Sequence, residues 1–115
     1  MRISEVSDRT QLPVSTLRYY ERRGILRPMR SPEGYREYRE QDLSWIAFVQ
    51  RLLGIGMSLA QVEEYSRLRE HGDSTIPERL DMLYCQREQL TAKMREVQGQ
   101  MDFIDRKIDI YRQMM

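Results

Sequence analysis

Nine arginines and not one lysine stand in residues 1 to 39: Arg2, Arg9, Arg18, Arg22, Arg23, Arg27, Arg30, Arg36 and Arg39. A guanidinium is a planar fork of donors that fits phosphate oxygens and guanine edges. Against five acids in the same stretch these cations leave it at +4, whereas residues 40 to 115 hold ten bases and thirteen acids, a balance of −3. The whole-chain charge of +1 hides this split. Such a front end suits either a polyanionic partner or a solvated charged face, and charge alone does not choose between them. Catalytic chemistry has much less to work with. One histidine, His71, and one cysteine, Cys85, exclude an internal disulfide and leave little for a zinc site. There is no nucleophile–base motif and no phosphate-binding glycine loop, so neither an enzyme nor a cofactor or metal is expected.

The elements that position the arginines follow from turn and cap signals. A chain of 115 residues with 40% apolar and 32% charged side chains makes one domain, or a compact lobe plus an elongated element. Ser4 is placed to cap a short helix to Thr10 with Val6 inward, and Pro13 fits the first turn of a second helix that stops at Gly24. Two short helices joined by a tight linker suggest a helix-turn-helix. Ser31-Pro32-Glu33-Gly34 suits a type I turn, and the strand formers of Tyr35 to Tyr38 make the region a small β-hairpin, a wing; an ordinary loop with two core tyrosines is the alternative. Glu40 to Leu53 is apolar nearly all round and predicts a central helix buried on most sides. Ser58 and Gln61 form a capping box for a fourth helix that closes at His71-Gly72, where His71 is a last-turn residue.

Thr75 and Glu78 form a second capping box, with Pro77 in the first turn, and open one long helix to about Gln113. Its seam steps alternately by three and four residues through Leu80, Leu83, Arg87, Leu90, Met94, Val97, Met101, Ile104, Ile108, Tyr111 and Met115. Such a helix is about 60 Å long and cannot bury that stripe against its own domain. The physical solution is a second copy of the same helix, making the chain a homodimer. Arg87 and Gly99 weaken the seam, and a hairpin folding back within one chain would need a break at Gly99.

Leu17-Arg18-Tyr19-Tyr20-Glu21, Gly24-Ile25-Leu26, Pro28, Arg30, Gly34-Tyr35-Arg36-Glu37-Tyr38 and Gly56-Met57-Ser58-Leu59, in this order and spacing, resemble the amino-terminal domain of the MerR family of bacterial transcription regulators. The resemblance implies a mainly α fold: a winged helix-turn-helix lobe of four helices and a β-hairpin over residues 1–72, then an antiparallel coiled-coil dimerisation helix over 75–115. It implies a dimer on a pseudo-palindromic operator in double-stranded promoter DNA, which it bends and untwists so that bacterial RNA polymerase can engage. The second helix would enter the major groove, with Ser15, Thr16, Arg18 and Tyr19 on the DNA side and Leu17 and Tyr20 inward. From the wing, Tyr35 and Arg36 would grip the backbone, Arg30 would assist, and Tyr38 would pack in the core. Leu80, Leu83, Leu90, Met94, Val97, Met101, Ile104, Ile108 and Tyr111 would form the dimer interface. Gln11 stands where the family often has a turn glycine, and Pro13 where it often has a capping Ser or Thr.

The signal is less legible. The long helix opens without the cysteine that metal-sensing members carry, and the chain has no large carboxyl-terminal drug-binding domain, so both signals are disfavoured. The run Phe103 to Tyr111 resembles the aldehyde- and electrophile-responsive subgroup, but the helix after the wing lacks that subgroup's thiol. Cys85, at heptad position f, is the remaining thiol, either a sensor or a spectator. With no secretory signal and no membrane-spanning run, the expected location is the cytoplasm, at the nucleoid. An inducer-free architectural or excisionase-like protein and a coiled-coil interaction module are the competing readings.

Overall fold

A computed structural model describes residues 1–115, which form two compact units, Met1–Leu80 and Asp81–Met115. The first unit holds α1 (Ile3–Thr10), α2 (Val14–Arg22), β1 (Met29–Arg30), β2 (Arg36–Glu37), α3 (Glu40–Gly54), α4 (Leu59–Glu70), a 3-10 turn at Asp73–Thr75, and the start of α5 (Ile76–Met114). Four helices and a hairpin precede one long helix, as the sequence implies. α1 packs on α2 and α3, and α3 on α4, around Val6, Leu17, Tyr20, Ile46, Val49 and Val62. Burying each such side chain favours the fold by about 1.5–3 kcal/mol.

Local signals account for most of the boundaries. At the end of α2, Gly24 adopts φ +76°, its N–H donates to Glu21 O (3.0 Å), and Ile25 N–H donates to Tyr20 O (2.9 Å). These are the two bonds of a Schellman cap, and they turn the chain from α2 towards the wing. The Ser58–Gln61 capping box forms in both directions, at 2.8 and 3.1 Å. In the wing, β1 and β2 pair antiparallel, Met29 with Glu37 and Arg30 with Arg36, across a turn closed by Gly34 N–H donating to Ser31 O at 2.9 Å.

Three local expectations fail. Ser4 does not cap α1. The helix starts at Ile3, where Val6 N–H donates to Arg2 O and Tyr38 N–H ties down the Met1 carbonyl at 2.9 Å. Pro13 is the N-cap of α2 rather than a first-turn residue. Thr75 does not box with Glu78, because its hydroxyl turns back onto α4, 2.6 Å from Leu68 O and 2.8 Å from Gly72 O, serving that helix's last carbonyls. α3 is also more one-sided than its composition predicts. Trp45, Ile46, Val49 and Leu52 are buried, while Ala47 and Phe48 are exposed and Leu43 and Leu53 half-buried.

Gln11 ends α1 in the left-handed conformation, φ +62°, ψ +23°, with its side-chain amide donating to Asp8 O at 2.7 Å. A Cβ there costs about 1–2 kcal/mol, which glycine avoids at some cost in unfolded-chain entropy. Gln11→Gly is expected to raise stability by about 0.5–1 kcal/mol, read as a higher urea midpoint at unchanged slope.

α5 runs unbroken through Gly99, so no hairpin folds back within the chain. In the second unit, Leu90, Met94, Val97, Met101, Ile104, Ile108 and Tyr111 remain 38–67% exposed in the single chain. Phe103, Ile110 and Met114, outside the heptad seam, are exposed as well.

Candidate nucleic-acid interface

The helical period sorts the side chains of α2 into two faces: Leu17 and Tyr20 are buried, and Ser15, Arg18, Tyr19 and Arg22 are exposed. Positions 15, 18, 19 and 22 follow the i, i+3, i+4, i+7 spacing of one helical face. Thr16 lies half-buried at its margin. The buried face is held by hydrogen bonds as well as by packing. Gln50 Nε2 donates to the Tyr20 hydroxyl at 2.7 Å, and Trp45 Nε1 donates to Ile25 O at 2.6 Å just beyond the helix.

The wing brings its cations to the same face. Arg18, Glu21, Arg22 and Arg36 line one shallow depression, so two of the expected contact arginines share a surface with two residues that the sequence reading did not select. Arg36 donates its Nε to both Glu21 carboxylate oxygens, at 2.8 and 2.6 Å. That hydrogen bond, and then the Glu21 charge, hold Arg36 above the usual guanidinium range. Arg30 stands 4.0 Å from the same carboxylate and donates Nη1 to Gly34 O at 3.1 Å. Arg18 and Arg22 have no ion-pair partner in the chain, although Arg22 lies 5.8 Å from the Tyr19 ring centroid. Tyr35 is exposed, with the Arg2 guanidinium 4.3 Å over its ring.

Arg22 was legible in the spacing, being seven residues after Ser15 on the exposed face. Glu21 and Arg2 gave no such signal, because their partners come from the wing. Three other front-end arginines serve the lobe itself, Arg9 pairing with Glu40, Arg23 with Glu63 and Arg39 with Asp42, while Arg27 is exposed and forms no ion pair. The Arg9 hydrogen bond lowers the Glu40 pKa.

Tyr38 is in the core, as the resemblance implies, but its hydroxyl is buried without a hydrogen-bond partner. Burial, then the Glu21 charge, push its pKa up. An unmet buried hydroxyl costs about 1–3 kcal/mol. Tyr38→Phe is therefore expected to stabilise the lobe by about 1 kcal/mol, checked by thermal melting.

Cys85 is exposed on α5. No group of three or more His, Cys, Asp or Glu side chains is placed to hold a metal ion, and no helix is long and apolar enough to cross a membrane.

A helix-turn-helix with a hairpin wing and a cationic second helix defines a class of DNA-binding regulator, and comparison with known proteins narrows it. The family model described as MerR HTH family regulatory protein matches residues 1–68, and a second, described as MerR, DNA binding, matches residues 43–107. The chain belongs to the MerR family of helix-turn-helix transcription regulators. It is 37% identical over 91 residues to the HTH-type transcriptional regulator AdhR of Bacillus subtilis, covering 78% of this chain and 65% of that protein. The chain thus spans just under two thirds of AdhR. It is 35% identical over 97 residues to HmrR of Rhizobium leguminosarum, covering 84% and 75% respectively. A MerR family regulator from Listeria monocytogenes superposes with TM-score 0.83 at 32% identity, over 96% of this chain and 85% of that one. HiNmlR, a MerR family regulator lacking the sensor domain and solved bound to promoter DNA, superposes with TM-score 0.80 at 26% identity, over 97% and 90%.

Proposed function

We propose that this protein is a homodimeric transcription regulator that reads a pseudo-palindromic promoter operator with α2 and grips the flanking backbone with its wing. The observation that carries the reading is the union of the exposed α2 face with wing residue Arg36 in one cationic surface. Base edges specify and phosphates position, and this surface has the means for both. Arg18 is the candidate for guanine or phosphate, Ser15 and Thr16 for bases or backbone, and Tyr19 for a phosphate oxygen. Arg30, Tyr35 and Arg36 are the backbone contacts from the wing. That HiNmlR was solved bound to promoter DNA supports a DNA-binding role for the shared fold.

Dimerisation through the α5 seam supplies the second reading head. Bending and untwisting the promoter for RNA polymerase costs about 1–6 kcal/mol, which Arg–phosphate contacts from both protomers can offset. Response to an aldehyde or another electrophile rests on the resemblance of the tail. Cys85 is accessible, as reaction with such a compound requires.

Salt titration tests the core of the proposal. If Arg18, Arg22, Arg30 and Arg36 of each protomer meet phosphates, the logarithm of affinity should fall against the logarithm of salt with a slope of about −7. Duplex affinity should then weaken by about 10⁴-fold between 50 and 200 mM salt, read by retardation. Salt-independent binding, or none at low salt, would overturn the assignment.

A further inference from the structure

We propose that Glu21 is a specificity-determining positioning residue: it holds Arg36 by its Nε edge, so that the wing engages phosphate productively only when α2 is seated in the groove. The inference rests on the DNA-binding reading above and adds a role for the one acidic side chain in that surface depression.

The carboxylate accepts from Arg36 Nε with both oxygens, leaving the two Nη groups free of it. A guanidinium bound along one edge still offers parallel donors to a phosphate, now in a fixed direction. Glu21 lies on α2 and Arg36 on β2, so the pair ties the wing to the recognition helix. Arg30, 4.0 Å away, sits in the same field. Stability does not explain the arrangement. The Arg36 side chain is 43% exposed, and exposed ion pairs add little to stability. A carboxylate facing a polyanion also opposes binding in every register. Its cost falls on random and operator sequence alike, while its directional benefit is available only where α2 fits.

The test compares a duplex enriched from a random pool by the wild-type protein with a scrambled duplex of the same composition. Glu21→Gln should bind the scrambled duplex about threefold or more tighter, because a negative charge is lost and Arg36 becomes free to meet any phosphate. Affinity for the enriched duplex should stay level or fall, so discrimination drops by about three- to tenfold. Glu21→Asp should recover most of it. In an Arg36→Ala background, Glu21→Gln should change the ratio of the two affinities less than about twofold. Arg36→Lys, which keeps the charge but has no Nε edge, should lose discrimination as Glu21→Gln does, and this holds the test open if Glu21→Gln folds poorly. An unchanged ratio in Glu21→Gln or Arg36→Lys, or the same change with and without Arg36, would overturn the proposal. Failure of the wild-type protein to retard either duplex would instead overturn the DNA-binding reading.

Discussion

Arg18→Ala and Arg36→Ala are each expected to weaken operator binding strongly while leaving the oligomeric state unchanged. Arg18 is exposed on α2 and forms no ion pair in the chain, so its donors need not be taken from an internal partner. A good Arg contact to a base edge is worth about 1–3 kcal/mol, and a dimer makes it twice, giving a loss of about 10²–10⁴-fold in operator affinity. Arg36 acts on the backbone. Its loss should make the salt dependence shallower by about two, one for each protomer. Neither side chain is in the core, so circular dichroism and sedimentation should match the wild type. Unchanged operator affinity in both variants would refute the interface.

A second large effect is expected from charge in the α5 seam. Val97 and Ile104 occupy successive d positions and are 55% and 49% exposed in the single chain. If a second α5 covers them, Val97→Glu with Ile104→Glu places four carboxylates in an apolar interface, where desolvation costs several kcal/mol per ion. Sedimentation should then show a monomer at micromolar concentration. Operator affinity should fall by about 10²–10⁴-fold, because the two reading heads lose their tether. Ala92→Glu, at the outer f position, adds charge to the same helix and should leave the dimer intact. A dimer that survives the double substitution would show that another surface joins the protomers.

What could be read without the structure was what a single turn of backbone decides. Ser58 and Gln61 are three residues apart and satisfy each other across one helical turn. Ser31 to Gly34 close a reverse turn, and Gly24 takes the left-handed conformation that a Schellman cap requires. The exposed face of α2 follows equally from a period of 3.6, and it contains Arg22 although only Ser15, Thr16, Arg18 and Tyr19 were selected. Composition was a weaker guide to α3. The number of apolar residues says nothing of how many neighbours arrive to cover them, and Phe48 stays exposed.

The amino-acid order by itself determined the Ser58–Gln61 and Gly24 caps, the wing turn, the helical faces and the heptad stripe, because each depends on residues within one or two turns of one another. Only the folded lobe decided which arginines remain free for a partner. Arg9 and Arg23 are taken up by acids 31 and 40 residues away, and such pairs exist only once helix packing has brought the backbones together. A tie of the same kind, from Tyr38 N–H to the Met1 carbonyl, accompanies the start of α1 at Ile3, whereas Thr75 is drawn only seven residues back, to the last carbonyls of α4.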